Sequence, residues 1–261
     1  MSNEFLLVDT HTHLYEESFD ADREQVLKRC IDARVRKLII QNVDSTTIEG
    51  VLKLEREHPG LCYATMGLHP CYVKANWKEE WAIVEQWWSE RDFVAVGEAG
   101  LDYYWDKTFI AEQKEVFGLQ LRLAKQKGVP IIIHSRDSFY DCLEMVKAEQ
   151  DGSLKGIFHC FSGSLEEAQA AIKAGMKLGI GGTCTYKNSR HKEVLPKLGL
   201  EHVVLETDSP YLPPVPYRGK RNESAYVPLV AEAVADIFET SVMEVARITT
   251  ANARELFGGL V

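Results

Sequence analysis

Short apolar segments alternate with amphipathic segments along the whole chain. The apolar segments are rich in Ile, Val and Leu and lack strict polar alternation, which is typical of parallel strands buried on both faces. We predict strands over residues 4–9, 37–42, 61–66, 93–98, 130–134, 156–160, 176–181 and 202–207. We predict helices over residues 20–34, 77–90, 110–127, 137–149, 164–174, 189–197, 226–238 and 241–256.

Eight strands that alternate with helices predict an α/β protein, a single-domain (β/α)8 TIM barrel over residues 1–261. The length of 261 residues fits one such barrel. An open doubly wound sheet is the alternative, but that fold usually has a glycine-rich turn after its first strand, where this chain has His11-Thr12-His13. A proline-rich stretch, residues 209–225, follows the last predicted strand and would border the active face of a barrel.

Ionisable side chains are concentrated at the carboxyl ends of the predicted strands. His11 and His13 are two residues apart at the end of the first strand, so both side chains can point to the same side. The other strand ends supply Glu98, His134, His159, Glu206 and Asp208. A barrel brings all these ends to one face, where charged groups are costly to bury unless they are paired or bind a metal.

These groups comprise four imidazoles and at least two carboxylates, which is more than one tetrahedral ion with an open position needs. They suit two divalent ions bridged by a carboxylate, and Glu98 is the natural bridging ligand. In such sites the two ions lie about 3.5–4 Å apart and activate a shared water. Taken singly, each histidine is equally well explained as a hydrogen-bonded core residue, and Glu98 as a member of a structural ion pair.

Six motifs along the chain carry a resemblance to a known family. They are Asp9-Thr10-His11-Thr12-His13, Gly67-Leu68-His69-Pro70, Gly97-Glu98-Ala99-Gly100-Leu101-Asp102, His134-Ser135-Arg136, His159-Cys160-Phe161-Ser162-Gly163 and Glu206-Thr207-Asp208-Ser209-Pro210. In this order they closely resemble the TatD family, metal-dependent hydrolases of the amidohydrolase superfamily that are described as deoxyribonucleases. The resemblance extends from residue 5 to about residue 257.

The resemblance implies the same barrel, a metal-dependent hydrolase and a ligand set for two divalent ions. By resemblance, one ion takes His11, His13, Glu98 and Asp208, and the second takes Glu98, His134 and His159. Asp208 can also accept a proton from the attacking water, and Glu206 is expected to orient a water or a ligand from behind the site. We expect the two ions to be Zn²⁺, Mn²⁺ or Mg²⁺. Four imidazoles suit Zn²⁺, Mn²⁺, Fe²⁺ or Ni²⁺, whereas Mg²⁺, which the resemblance to the family suggests, prefers oxygen ligands.

Arg136 and His69 favour a phosphate-containing substrate. Arg136 follows His134 by two residues, and its guanidinium suits bidentate binding of phosphate, although a structural ion pair explains it equally well. His69 could donate to phosphate or fix a loop. The loop Tyr103-Tyr104-Trp105 offers rings that stack on a base or pack beneath the loop.

The first functional hypothesis is a phosphodiesterase, a 3'-5' exonuclease-like deoxyribonuclease that acts near a strand end. The alternative is a metal-dependent hydrolase of a small ester, lactone or amide; a binding protein without catalysis is disfavoured by the complete ligand set. The net charge of −9 disfavours a grip on long duplex DNA, so we expect single-stranded DNA, a DNA end or a small phosphoester as partner. Without a long apolar run or a signal-like start, the chain is expected to be cytoplasmic, away from membranes and without an obligate protein partner.

Overall fold

Eight parallel strands form the frame of the protein in the computed structural model, which describes residues 6–258. The strands are β1 (Leu7–Thr12), β2 (Val35–Ile40), β3 (Cys62–Ala64), β4 (Val96–Asp102), β5 (Ile131–Arg136), β6 (Gly156–Phe158), β7 (Met176–Ile180) and β8 (Val203–Leu205). The helices are α1 (Arg23–Asp32), α2 (Ile48–Glu57), α3 (Trp77–Glu90), α4 (Ile110–Lys127), α5 (Phe139–Glu149), α6 (Leu165–Lys173), α7 (His191–Val194), α8 (Val227–Ile237) and α9 (Val242–Phe257).

The strands close into a barrel through two narrow seams. Strands β1 to β3 pair in order, as do β4 to β8. One seam joins β3 to β4 through a parallel bridge between Met66 and Val96, and the other joins β1 to β8 through a bridge between Thr12 and Ser209. At the second seam the backbone N–H of His13 donates to the Ser209 carbonyl over 2.8 Å. The closed ring confirms the predicted (β/α)8 barrel over the open sheet.

The last helix closes one end of the barrel. Ala253, Leu256 and Phe257 of α9 pack against the apolar side chains inside the barrel, which come from six of the strand segments: Val8, Ile39, Ala95, Ile132, Ile157 and Val204. Phe257 shares a shallow cleft with Phe93 and Pro130, which precede β4 and β5, so α9 covers the amino-terminal ends of the strands. The carboxyl-terminal face is therefore left for the loops that carry the ionisable residues.

The outer layer of the core lies between the strands and the surrounding helices. Three of the four tryptophans of α3 are buried there, as their helical spacing predicts: Trp77, Trp81 and Trp88. Within residues 6–258, no helix combines the length and apolar character that crossing a bilayer requires.

Some boundaries differ from those that the sequence predicts. Helix α2 is missing from the prediction, although Ile48, Val51 and Leu52 form its buried face. The helix predicted over 189–197 is a single turn of α-helix followed by a 3-10 turn over Leu195–Lys197, because Pro196 cannot continue the α-helical hydrogen bonding. Strand β4 continues to Asp102 rather than ending at residue 98. Residues 4 and 5 of the first predicted strand lie outside the described residues.

Asn252 ties α9 to the start of β8, and its loss should destabilise the barrel. Its buried amide donates to the carbonyls of Leu200 and Val203 over 2.8 and 2.7 Å. Replacing it in Asn252→Ala leaves two carbonyls without a donor, which should lower the free energy of unfolding by about 1–3 kcal/mol. Chemical denaturation measures this. The exposed Asn188→Ala serves as the control, and equal stability of the two variants would contradict the assigned role of Asn252.

Candidate metal centre

The ends of β1 and β8 are joined by buried hydrogen bonds that place His11 and Asp208 side by side. The register between β1 and β2 is irregular from Asp9 to Thr12, where the chain turns its side chains toward the barrel mouth. The Asp9 carboxylate accepts hydrogen bonds from the backbone and the hydroxyl of Thr207, over 2.9 and 2.6 Å. The Asp208 N–H donates to the His11 carbonyl over 2.9 Å. Both strand ends are thus fixed relative to each other before any ligand binds.

Four side-chain atoms converge at this seam. The His11 Nε2 atom lies 3.2 Å from His13 Nε2, 3.1 Å from Glu98 Oε2 and 3.5 Å from Asp208 Oδ1. The His13 Nε2 atom lies 3.5 Å from each of the same two carboxylate oxygens. His11, His13 and Glu98 are buried, and the Asp208 side chain is 14% exposed. The structure therefore brings together all four residues that the resemblance assigns to one ion.

The other oxygen of Glu98 faces a second set of imidazoles. Glu98 Oε1 lies 2.9 Å from His159 Nε2, 3.0 Å from His134 Nδ1 and 3.3 Å from His69 Nε2. The His159 and His134 nitrogens are 3.4 Å apart. The structure thus brings together the three residues that the resemblance assigns to the second ion, and it adds His69 beside them.

Glu98 is ionised in this setting. Burial alone would raise the pKa of its carboxyl, but the imidazoles of His159, His69 and His11 outweigh burial and hold the pKa well below its usual range. The same balance, with His13 in the leading role, lowers the pKa of Asp208. Two carboxylates are therefore charged at neutral pH in a buried site, and they in turn raise the pKa of His13, His134 and His159 against the effect of burial. Protonated imidazoles balance the carboxylates in the absence of a metal, and bound cations would take over that role.

Two further side chains hold the imidazoles of His134 and His13 from behind. Asp102 Oδ2 lies 2.9 Å from His134 Nε2, the nitrogen opposite the one that faces Glu98. The Tyr15 hydroxyl lies 3.1 Å from His13 Nδ1. Such partners fix the ring orientation and the tautomer of a metal-binding histidine. The sequence analysis placed Asp102 in a motif but gave it no role, and it gave no role to Tyr15; the position of Asp102 at a strand end was the available signal.

Glu206 lies behind His159. It is completely buried, and its Oε1 atom accepts a hydrogen bond from the Cys160 backbone N–H and lies 3.7 Å from His159 Nδ1. A Cβ atom at Gly179 would come within 2.1 Å of Glu206 Oε2, so glycine at this position makes the space for the carboxylate. This location suits the predicted orienting role and leaves Glu206 out of direct reach of the barrel mouth.

The two nitrogens of His69 have different roles. The Cys71 backbone N–H donates to His69 Nδ1 over 3.1 Å, so a neutral His69 carries its proton on Nε2. That atom faces Glu98 as a donor, whereas a metal ligand would need a lone pair there. His69 therefore fixes its loop and also presents a donor to the site.

Arg136 is exposed at the end of β5, beside the cluster. Its guanidinium lies 4.9 Å from the centre of the Tyr104 ring. Among residues 6–258, no carboxylate lies within ion-pair distance of Arg136, so the guanidinium is open to a ligand. The structural ion pair that the sequence left open is not found in this part of the chain.

Comparisons with known proteins agree with this geometry. The family described as TatD related DNase matches residues 8–258. The Bacillus subtilis protein named uncharacterized metal-dependent hydrolase YabD is 40% identical over 253 residues, covering 97% of this chain and 99% of that protein. The Erwinia billingiae protein named 3'-5' ssDNA/RNA exonuclease TatD is 32% identical over 259 residues, covering 96% and 98%. The crystal structure of YjjV, a TatD homolog from Escherichia coli K12, superposes with a TM-score of 0.90 at 31% identity, covering 96% and 97%.

The tautomer of His69 is open to direct measurement. Burial, which outweighs the nearby Glu98 charge, lowers the pKa of His69, so the ring should be neutral near pH 7 with its proton on Nε2. Long-range ¹H–¹⁵N NMR spectra distinguish the two neutral tautomers, and His69→Gln identifies the signals. A proton found on Nδ1 would contradict the hydrogen bond from Cys71.

Proposed function

The chain belongs to the TatD-related DNase family, and from that premise we propose that it is a metal-dependent hydrolase that cleaves phosphodiester bonds near an end of single-stranded nucleic acid. One observation carries the proposal: the two oxygens of Glu98 face two different sets of imidazoles. A carboxylate in that position can bridge two divalent ions, with His11, His13 and Asp208 on one side and His134 and His159 on the other.

The spacing of the donor atoms fits metal ions. Metal–nitrogen bonds of about 2.0–2.1 Å in a tetrahedral site place neighbouring ligand atoms roughly 3.3–3.5 Å apart. In the first set, the separations from His11 Nε2 and His13 Nε2 range from 3.1 to 3.5 Å. An ion between these atoms would also supply positive charge to the two ionised carboxylates, in place of protonated imidazoles. The imidazole-rich donor set favours Zn²⁺, Mn²⁺ or a similar ion over Mg²⁺.

Each residue has a distinct task in the proposed reaction. The ions, when bound, would activate a water molecule for attack on phosphorus and neutralise charge on the phosphate. The P–O bond in line with the attack breaks, and the leaving oxygen takes up a proton from solvent. Asp208 lies at the barrel mouth, where it can accept the proton that this water loses. His69 can donate from Nε2 to a non-bridging oxygen, and Arg136 can pair with a phosphate beside the centre. Asp102 and Glu206 keep His134 and His159 in place.

The choice of phosphodiester over a carbonyl ester rests on the donors around the ions. The Arg136 guanidinium and the His69 Nε2–H group lie beside the centre. They suit a substrate that carries negative charge on the reacting phosphate and on the neighbouring phosphate. Relatives such as the Erwinia billingiae protein are named as single-strand exonucleases. The net charge of −9 fits contact with a few phosphates rather than with a long duplex.

Metal content should follow the two ligand sets. Purified protein loaded with Zn²⁺ or Mn²⁺ should hold two ions per chain by elemental analysis, and Glu98→Gln should lose both because it removes a ligand from each set. His159→Ala should retain about one ion. Each saturated ion site should raise the free energy of unfolding by roughly 4 kcal/mol when the free ion exceeds the Kd of that site a thousandfold.

A histidine outside the centre provides the control for metal binding. His202→Ala should bind as much metal as the unsubstituted protein, because His202 directly precedes β8, at the end of the barrel opposite the centre, and its Nε2 atom lies 3.6 Å from Glu201 Oε1. One ion per chain in the unsubstituted protein, unchanged in His159→Ala, would contradict the two-ion arrangement.

Loss of the proton acceptor should remove most of the activity. Asp208→Asn should lower kcat by roughly 10²–10⁴-fold on single-stranded DNA, while circular dichroism shows an intact fold. His134→Ala should likewise abolish hydrolysis. The exposed Asp236→Asn is the matched control and should retain full activity. Parallel assays on single-stranded DNA, aryl phosphodiesters and lactones identify the substrate class, and activity confined to lactones would overturn the nuclease proposal.

A further inference from the structure

We propose that Trp105, Tyr104 and Arg136 form a nucleotide platform beside the metal centre. On this platform an unpaired base of a single-stranded nucleic acid stacks on the Trp105 ring, and a neighbouring phosphate pairs with Arg136. The proposal rests on the proposed function, because it assigns to a nucleic-acid substrate the surface next to the same site.

The first observation is the exposure of the two rings. Trp105 is 75% exposed and Tyr104 is 51% exposed, and their ring centres lie 4.9 Å apart in an edge-to-face arrangement. A single exposed apolar residue is ordinary on a protein surface. Here, however, two aromatic rings adjoin each other, and the Arg136 guanidinium lies over one of them, Tyr104. Tyr140, in the first turn of α5, is also 63% exposed. Aromatic rings beside a cation are what single-stranded nucleic acids bind.

The second observation is that the loop carrying these rings is fixed. The Asp102 Oδ1 atom accepts hydrogen bonds from the backbone N–H groups of Tyr104 and Trp105, each over 2.9 Å. Further along the loop, Asp106 forms an ion pair with Lys74 over 2.6 Å. The Trp105 backbone is therefore held from both sides while its ring stays in solvent. A ring that is already positioned costs little further ordering when a ligand binds.

The third observation is the link to the centre. The same Asp102 carboxylate that holds the loop with its Oδ1 atom faces His134 with its Oδ2 atom, over 2.9 Å. A cleft of about 470 Å³ lies between the loops after β5 and β6, and both Arg136 and His159 line it. Arg136, which also lies over the Tyr104 ring, would thus connect the platform to the cleft that leads to His159.

The side chains of the platform favour a single-stranded nucleic acid over a small ester. Arg136 lies over the Tyr104 ring, and its N–H groups are free of any carboxylate within residues 6–258, which leaves them available for phosphate. A base must be unpaired and unstacked to cover the Trp105 ring, as bases are in a single strand but not in a duplex. A lactone or a small carboxylic ester offers neither a flat aromatic face nor a flanking phosphate.

Binding of a labelled oligonucleotide tests the platform. The full-length metal-loaded protein is titrated against a short fluorescent phosphorothioate oligothymidylate, which resists cleavage, and anisotropy gives Kd. Trp105→Ala should raise Kd roughly tenfold, within the range measured for loss of one stacked base, whereas Trp105→Phe should retain most of the affinity. Arg136→Ala should weaken binding and reduce the slope of log Kd against log salt by about 0.7, as expected for one lost phosphate contact.

A second measurement separates recognition from chemistry. In Trp105→Ala, kcat/KM should fall more for a cleavable oligonucleotide than for an aryl phosphodiester, and the fall should be mainly in KM. The control Met243→Ala removes another exposed apolar side chain, 51% exposed on α9, and should bind the oligonucleotide normally.

The outcomes distinguish the platform from the proposed function. If Trp105→Ala binds the oligonucleotide as tightly as the unsubstituted protein, the platform is wrong, while cleavage of oligonucleotides would still support a nuclease. If the unsubstituted protein neither binds nor cleaves any oligonucleotide, both proposals are overturned. An unchanged salt slope in Arg136→Ala would remove the phosphate contact from the platform.

Discussion

The sharing of one buried carboxylate between two sets of imidazoles is the constraint on which the site depends. Glu98 is almost completely buried, yet its oxygens lie 3.1 Å from His11 and 2.9 Å from His159. An ionised carboxylate in such a place is stable only with positive charge close to both oxygens. The hydrogen bonds between the ends of β1 and β8, and the partners behind His13 and His134, all serve to hold that arrangement.

The residues that stabilise the barrel lie apart from the residues that surround the buried carboxylate. Apolar side chains fill the interior near the amino-terminal ends of the strands, where α9 covers them. The charged groups gather at the opposite ends, where the loops can surround them. Substitutions beneath α9 should therefore act on the stability of the whole barrel, whereas those at the mouth should act on binding and chemistry.

The sequence predicts the repeating βα pattern well, and it also predicts that His11, Glu98, His134 and Asp208 meet at one face, because both depend on local signals. An apolar run that leads into His134 or Glu98 identifies a strand directly, although β4 continues beyond Glu98 to Asp102 and β5 continues to Arg136. The roles of Asp102 and Tyr15 could not be predicted, because they depend on which ring nitrogen each one faces, and only the folded arrangement determines that. His69 is a similar case: it follows β3 by several residues, and its approach to Glu98 depends on the path of the loop.

The seam between β1 and β8 also has a consequence for how the chain folds. His11 and Asp208 come from opposite ends of the sequence, and the Thr250 hydroxyl donates to the Leu6 carbonyl across a separation of 244 residues. Contacts this distant along the chain form late and slowly, since a long loop must first be closed. The first ligand set can therefore assemble only in a chain whose barrel has already closed. An ion bound by this set would slow the opening of the completed barrel. It would not speed the earlier folding steps of the chain, because its ligands have not yet come together then.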